Sequence, residues 1–370
     1  MFLSNPFPAT NPITAATGSS LGANTGLGDS VSFVNPNRSL QHSDRYNFSF
    51  QRELPTGIVI DVTYFINFTN ELCGNNCYTN ANLDQMDPRL SYQYGNALNQ
   101  VVANPFYNIG TVSTFPGPLR YQPKVTIGSL MVPYPQYTGI TELAGTNGAN
   151  MHYQSLQFKL QRRFSKGYSF LLGYNYHREQ DQVYYDSLAQ YMNHWTWVDG
   201  GTPRSRLTLS GNWELPFGKG RQFMSGAPRA LDAAIGGWNL TGLLTYQSGA
   251  PIKFTGVQVT GNPASNVTPG AYFNTSAVQL LPGFTEETNP WYYAGVNGPH
   301  FFNVDASLVK DFHITERVKF SLRMDAFNSL NNVNLNAPNM SVGSATFGKS
   351  TDVLNNTFGR QLQLGLRLSF

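Results

Sequence analysis

Residues 358–370 read FGRQLQLGLRLSF, and the fold turns on how this stretch is read. Phe358, Arg360, Leu362, Leu364, Leu366, Leu368 and Phe370 share one side of a two-residue period. Gly359, Gln361, Gln363, Gly365, Arg367 and Ser369 share the other. A period of two marks a strand, because successive side chains point to opposite faces. In a soluble sheet the apolar face meets a packed layer. In an outer-membrane barrel it meets lipid, and the polar face meets a wet lumen. One strand does not choose between the two.

Composition narrows the choice. Charged residues make up 12% of the 370, against roughly 25% in ordinary soluble domains, while aromatics reach 14%. Mean hydropathy is nevertheless −0.29, so the chain is not oily on average. Alternating lipid-facing and lumen-facing positions produce that combination. No run of about 18 apolar residues offers a membrane helix. The net charge of +3, without a basic cluster, argues against a nucleic-acid partner.

Working back from the C-terminus, the same alternation recurs. Nine strands are expected, near residues 44–53, 58–68, 153–164, 168–176, 206–215, 238–247, 302–312, 318–326 and 358–370. Their connectors sort by parity. LPTG, SKG, 217–236 and HIT fall at one end, and three of these four are tight. The segments 69–150, 178–203, 251–300 and 330–357 fall at the other, and all are long. Short periplasmic turns and long extracellular loops are the habit of transmembrane barrels. The expected fold is therefore all-β: an antiparallel transmembrane β-barrel, with residues 1–42 as a loop segment and 43–370 as the barrel part. A short helix is expected near 95–102.

Residues 1–20 lack the basic start, apolar core and cleavage site of a signal peptide. The sequence is therefore expected to be the C-terminal portion of a longer barrel protein, whose two outer strands would be open edges when expressed alone. Cys73 and Cys77, in CGNNC, lack the further ligands of a zinc site and read as a small loop disulfide or as two free thiols.

Several segments in order carry a resemblance. These are NQVVANPFY (99–107), LMVPYPQY (130–137), LQFKLQRRFSKGYSFLLGYNYHR (156–178), NWELPFGKGR (212–221), GGWNLTGLLTYQSGAPI (236–252), NVDASLVKDFHITERVKFSLRMDAFNSLNN (303–332) and the terminal FGRQLQLGLRLSF. Together, from about residue 40 to 370, they resemble the C-terminal barrel of Oar-like TonB-dependent receptors of the Gram-negative outer membrane. The resemblance implies a barrel of about twenty-two strands, of which these nine are the last. It also implies a carboxypeptidase-regulatory-like domain, a lumen-filling plug and a TonB-contacting motif, none of which these residues contain. Leu364, Leu366, Leu368 and Phe370 are then expected to form the strand engaged by the β-barrel assembly machinery.

No catalytic constellation stands out, and no enzyme activity, cofactor or metal is expected. HREQD (177–181) and HITE (313–316) read as solvated loop and turn polarity, and the Gly-rich GSSLGANTGLG lacks the strand and helix of a phosphate loop. Asp181, Asp186 and Asp199, with Trp195 and Trp197, are candidates for a calcium or ligand site, against the plainer reading of a hydrated surface. Lys159, Arg163, Arg317, Lys319, Arg323 and Arg367 fall on the polar face and are expected to line the lumen; the resemblance implies that they face the plug, paired with Asp305, Asp311 and Asp325, against the plainer reading of a hydrated lumen. Tyr174, Tyr176, Trp213, Trp238, Phe312 and Phe370 suit interfacial girdles. Two functions fit: a TonB-dependent receptor moving an unknown substrate, or a surface structural or adhesion barrel that binds partners through its loops.

Overall fold

The computed structural model describes residues 18, 20–34, 36, 41–72, 81–143, 149–183, 196–315 and 317–370. Within them, nine strands form one antiparallel meander: β1 (His42–Glu53), β2 (Ile58–Leu72), β3 (Ala149–Ser165), β4 (Tyr168–Val183), β5 (Ser205–Glu214), β6 (Trp238–Gln247), β7 (Phe301–His313), β8 (Lys319–Phe327) and β9 (Gln361–Ser369). Each pairs only with its sequence neighbours, so no connection crosses the sheet. All nine expected strands are present. Thr196–Asp199 adds a short tenth strand on the outer half of β4.

The tight turns follow from local chemistry. Between β1 and β2, Gly57 at φ 73° lets its own N–H reach Leu54 O at 2.9 Å. Between β3 and β4, Lys166 and Gly167 both take positive φ, which a two-residue type I′ hairpin requires. The β5–β6 connector is longer and carries a helix, Arg229–Ile235, which no two-residue alternation announces.

Register aligns like faces across the whole sheet. Leu364 stands opposite Met324, Met324 opposite Leu308, Leu308 opposite Leu240, and Leu240 opposite Trp213. A neighbouring row runs Leu362, Ala326, Ala306, Gly242, Gly211, Phe170, Arg162 and Ile58. It starts at the long-loop end of β9 and finishes on the first residue of β2, at the short-turn end. Such a stagger accumulates when strands tilt around a barrel wall.

The core lies outside the sheet. Among the described residues, every buried hydrophobic side chain belongs to the connectors: Leu98, Phe115 and Leu119 after β2, and Ile252, Phe254, Val257, Phe273, Ala277, Val278 and Val296 after β6. The apolar rows of the sheet are not covered by protein; Leu362, Leu364 and Leu366 are each at least 70% exposed. A sheet that leaves its greasy face bare while folding cores into its loops is built for an apolar solvent on that face.

Three elements differ from expectation. The helix expected at 95–102 begins earlier, at Pro88–Tyr94, and passes into a 3-10 turn over Gly95–Asn99, while Val101 and Val102 are already in a strand. Asp87 caps it by accepting from Arg89 N at 3.0 Å, with Pro88 in the first turn. Residues 1–42, expected as loop, contain strand Ser30–Val34, which lies parallel to Gly139–Leu143. Finally, β2, β3 and β4 run past their apolar alternation, so the segments 69–150 and 178–203 are shorter than read.

Candidate functional site: the polar face and the loop cap

The polar face of the sheet carries Lys159, Lys319, Arg323 and Arg367 of the expected cations, and several charges pair within it, whereas Arg317 falls in the turn before β8 and not on the sheet. Lys319 Nζ lies 2.7 Å from Asp311, and Arg323 Nε 2.8 Å from Asp325. Asp305 instead accepts from the backbone N–H of Asn328 at 2.8 Å, fixing the start of the loop after β8. Lys159 stands opposite Asp61 in register. A hollow of about 490 Å³ lies on this face, lined by Asp61, Gln157, Lys159, Asn175 and Arg206. Arg163 sits where the β3–β4 register shifts, so the ladder does not fix its side.

At the long-loop end the connectors are folded, not slack. In the segment after β2, Asn104 donates through Nδ2 to Leu119 O (2.8 Å) and Gln122 O (2.7 Å), and its Oδ1 accepts from Phe106 N. Phe106 stacks on Phe115 at 5.8 Å. The segment before β1 is laced in: Gly117 N donates to Leu27 O and Leu119 N to Gly28 O. A cleft of about 580 Å³ opens here, lined by Asp84, Gln122, Lys124, Ser129 and Tyr137. Burial raises the Asp84 carboxyl above the usual carboxylate range, opposed by the hydrogen bond it accepts from Tyr134 N.

The connectors after β6 and β8 share one core. Phe254 sits edge-on to Phe273 (5.2 Å), Phe273 edge-on to Phe347 (5.3 Å), and Met340 and Val342 pack alongside. The Asn-rich run 331–339 and its neighbours clamp this loop to the sheet. Asn334 accepts from Phe302 N at 2.8 Å and donates to Phe302 O at 3.1 Å, imitating a strand partner. Asn328 donates to Asn332 O and Phe358 O, both at 2.9 Å. A second cleft, about 380 Å³, lies where Pro203, Ser248, Lys253, His300, Met340 and Leu354 converge. Burial lowers the Lys253 ammonium, opposed by Glu287, and raises the Tyr292 phenol, aided by Asp181 and Glu179. Sequence reading missed the Asn clamps; the density of Asn in NNVNLNAPN was their one visible signal.

The residues singled out from sequence fall as follows. Leu364, Leu366 and Leu368 share the exposed apolar face of β9, and Phe370, just beyond that strand, is almost fully exposed. Cys73, Cys77, Asp186 and Trp195 lie outside the described residues. Asp199 is held by Arg204 at 2.8 Å and Arg178 at 3.3 Å. Trp197 packs on His152, ring centres 4.2 Å apart. Among the described residues, no group of three His, Cys, Asp or Glu side chains is placed to hold a metal ion.

Comparison with known proteins agrees with this geometry. A family model described as "Outer membrane beta barrel domain" matches residues 1–363. No curated protein matches the chain. Among solved structures, the outer membrane transporter YddB from Escherichia coli is similar at 8% identity and a TM-score of 0.43, covering 93% of this chain and 35% of that one. The pyoverdine receptor FpvA from Pseudomonas aeruginosa, solved with pyoverdine bound, is similar at 11% identity and a TM-score of 0.38, covering 89% of this chain and 30% of that one. The chain thus spans about a third of the length of these structures. The assignment rests on the family match together with the uncovered apolar face: this chain belongs to the outer membrane beta barrel domain family and resides in the Gram-negative outer membrane.

Proposed function

We propose that the chain is the C-terminal barrel portion of an Oar-like, TonB-dependent receptor that moves a substrate across the outer membrane. The long-loop end faces the cell surface and the short turns face the periplasm. The observation that carries this reading is the contrast between the two sheet ends. One has three tight turns and a helix-bearing connector; the other has loops folded on cores of their own, with clefts at Asp84–Tyr137 and Lys253–His300 that an arriving solute meets first. The polar face, with its ion pairs and the hollow at Lys159 and Arg206, supplies a wet wall. Plug and TonB contacts belong to residues outside these 370, and the β-barrel assembly machinery engages β9. On this reading the connector that carries Cys73 and Cys77 belongs to the surface end, where the two can pair as a small loop disulfide or stay as free thiols, and the chain carries no enzyme activity.

Two measurements test this. Impermeant maleimide applied to intact, reduced cells labels Cys73 and Cys77; labelling only after the outer membrane is broken reverses the orientation. A strain lacking the gene and a strain lacking TonB share at least one non-additive uptake defect across a panel of nutrient limitations. If no defect is shared and surface attachment is lost instead, the adhesion reading replaces transport.

A further inference from the structure

The apolar face of the sheet is not uniform. Where β4 to β7 cross its middle, the floor row is Phe170, Gly211, Gly242 and Ala306. Leu209 and Leu244 rise on one side of it, Trp213 and Leu240 on the other. The result is an apolar trough of about 670 Å³. Four strands at about 4.8 Å spacing make it roughly 14 Å long. The two glycines create it, since any side chain at Gly242 projects into it.

The floor row ends on a cation. Arg162 stands opposite Phe170 and occupies an apolar-face position three residues before the end of β3. It is 8% exposed, and its guanidinium lies 4.0 Å over the ring of Tyr168, which itself lines the trough. Nη1 donates to Tyr168 Oη, while Nε is buried without any acceptor. A buried arginine with an unmet donor, next to Tyr168 at the end of an apolar trough, favours an anion beside it. Two further cations share this face near the short-turn end. Arg52 stands opposite Ile60, and Lys310 lies beside Trp238 and Phe312 with its Nζ donating to Gly236 O. Aromatic rings and cations at that level match the headgroup region.

We propose that the trough is a binding site for one phospholipid of the periplasmic leaflet. An acyl chain lies along Gly211, Gly242 and Ala306, and the phosphate accepts from Arg162. The bulge between Arg162 and Ser165 sets the arginine's aim, as bulges next to sites do. The leaflet assignment rests on the orientation given under Proposed function; the contact between phosphate and Arg162 does not.

Native mass spectrometry of the full chain, purified from outer membranes and titrated with phosphatidylglycerol, tests the proposal. The unmodified protein holds one lipid. Arg162→Gln and Gly242→Leu each weaken it by about tenfold or more, the scale of losing a hydrogen bond to a charged group or of filling the trough. A Cβ added at Gly242 meets only Asp305 O, at 3.8 Å, and the rest of a leucine extends into the open trough, so Gly242→Leu is expected to fold even if Arg162→Gln does not. Heat-modifiable gel mobility verifies the fold of each variant. Equal affinity in all three proteins overturns the lipid site and leaves the orientation untouched. Selective retention of lipid A over phosphatidylglycerol, lost in Arg162→Gln, overturns the phospholipid assignment and reverses the orientation.

Discussion

Leu364 stands directly opposite Met324 on the apolar face, while the adjacent Gln363 stands opposite Asp325 on the polar one. A charge at Leu364 therefore enters lipid, and a charge at Gln363 enters water. Leu364→Arg is expected to destabilise the folded barrel by about 2–4 kcal/mol at the bilayer midplane, and Gln363→Arg by far less. Urea unfolding of the full chain in lipid vesicles measures both; equal losses at the two positions contradict the face assignment.

The loop clamp built on Asn328 should be equally specific. Its amide bridges Asn332 and Phe358, its Oδ1 accepts from Asn332 N, and its φ of 48° suits Asn better than most residues. Asn328→Ala leaves these backbone groups unpaired and costs about 1–3 kcal/mol. Faster hydrogen exchange confined to residues 328–358 is the expected readout.

Gly117 approaches Gly28 so closely that a Cβ would lie 2.0 Å from the Gly28 carbonyl carbon. Gly117→Ala therefore pries the segment before β1 off the loop after β2, at a cost of about 1–3 kcal/mol typical of overpacking. Loss of exchange protection at Gly117 and Leu119 amides, with the sheet unchanged, checks this.

Asp84 gives the same loop a pH dependence. Burial raises its folded-state carboxyl above the ordinary value of 3.8, so the folded loop binds more protons than the unfolded one. Its contribution is complete below pH 3.8 and is lost as pH rises through the raised value. Protection of the Tyr134 amide, corrected for intrinsic exchange, should fall with rising pH over that window, and Asp84→Asn should flatten the dependence.

The sequence by itself determined the strands, their faces and the end on which each loop lies. Those features follow from a two-residue period and from lipid, which leaves its mark on every other side chain of a spanning strand. The alternation stops where the bilayer stops, but the backbone ladder does not. His152 opposite Gln180 and Met151 opposite Asp181 continue the β3–β4 pairing without any apolar pattern, so the strand ends were read short. Only the tertiary structure decided how the loops fold. Phe254 meets Phe347 through Phe273, and Asn334 stands in for a strand beside Phe302. These contacts join residues tens of positions apart with no period to announce them. The trough at Gly211 and Gly242 depends likewise on register: two glycines in separate strands mean little until hydrogen bonding sets them opposite each other.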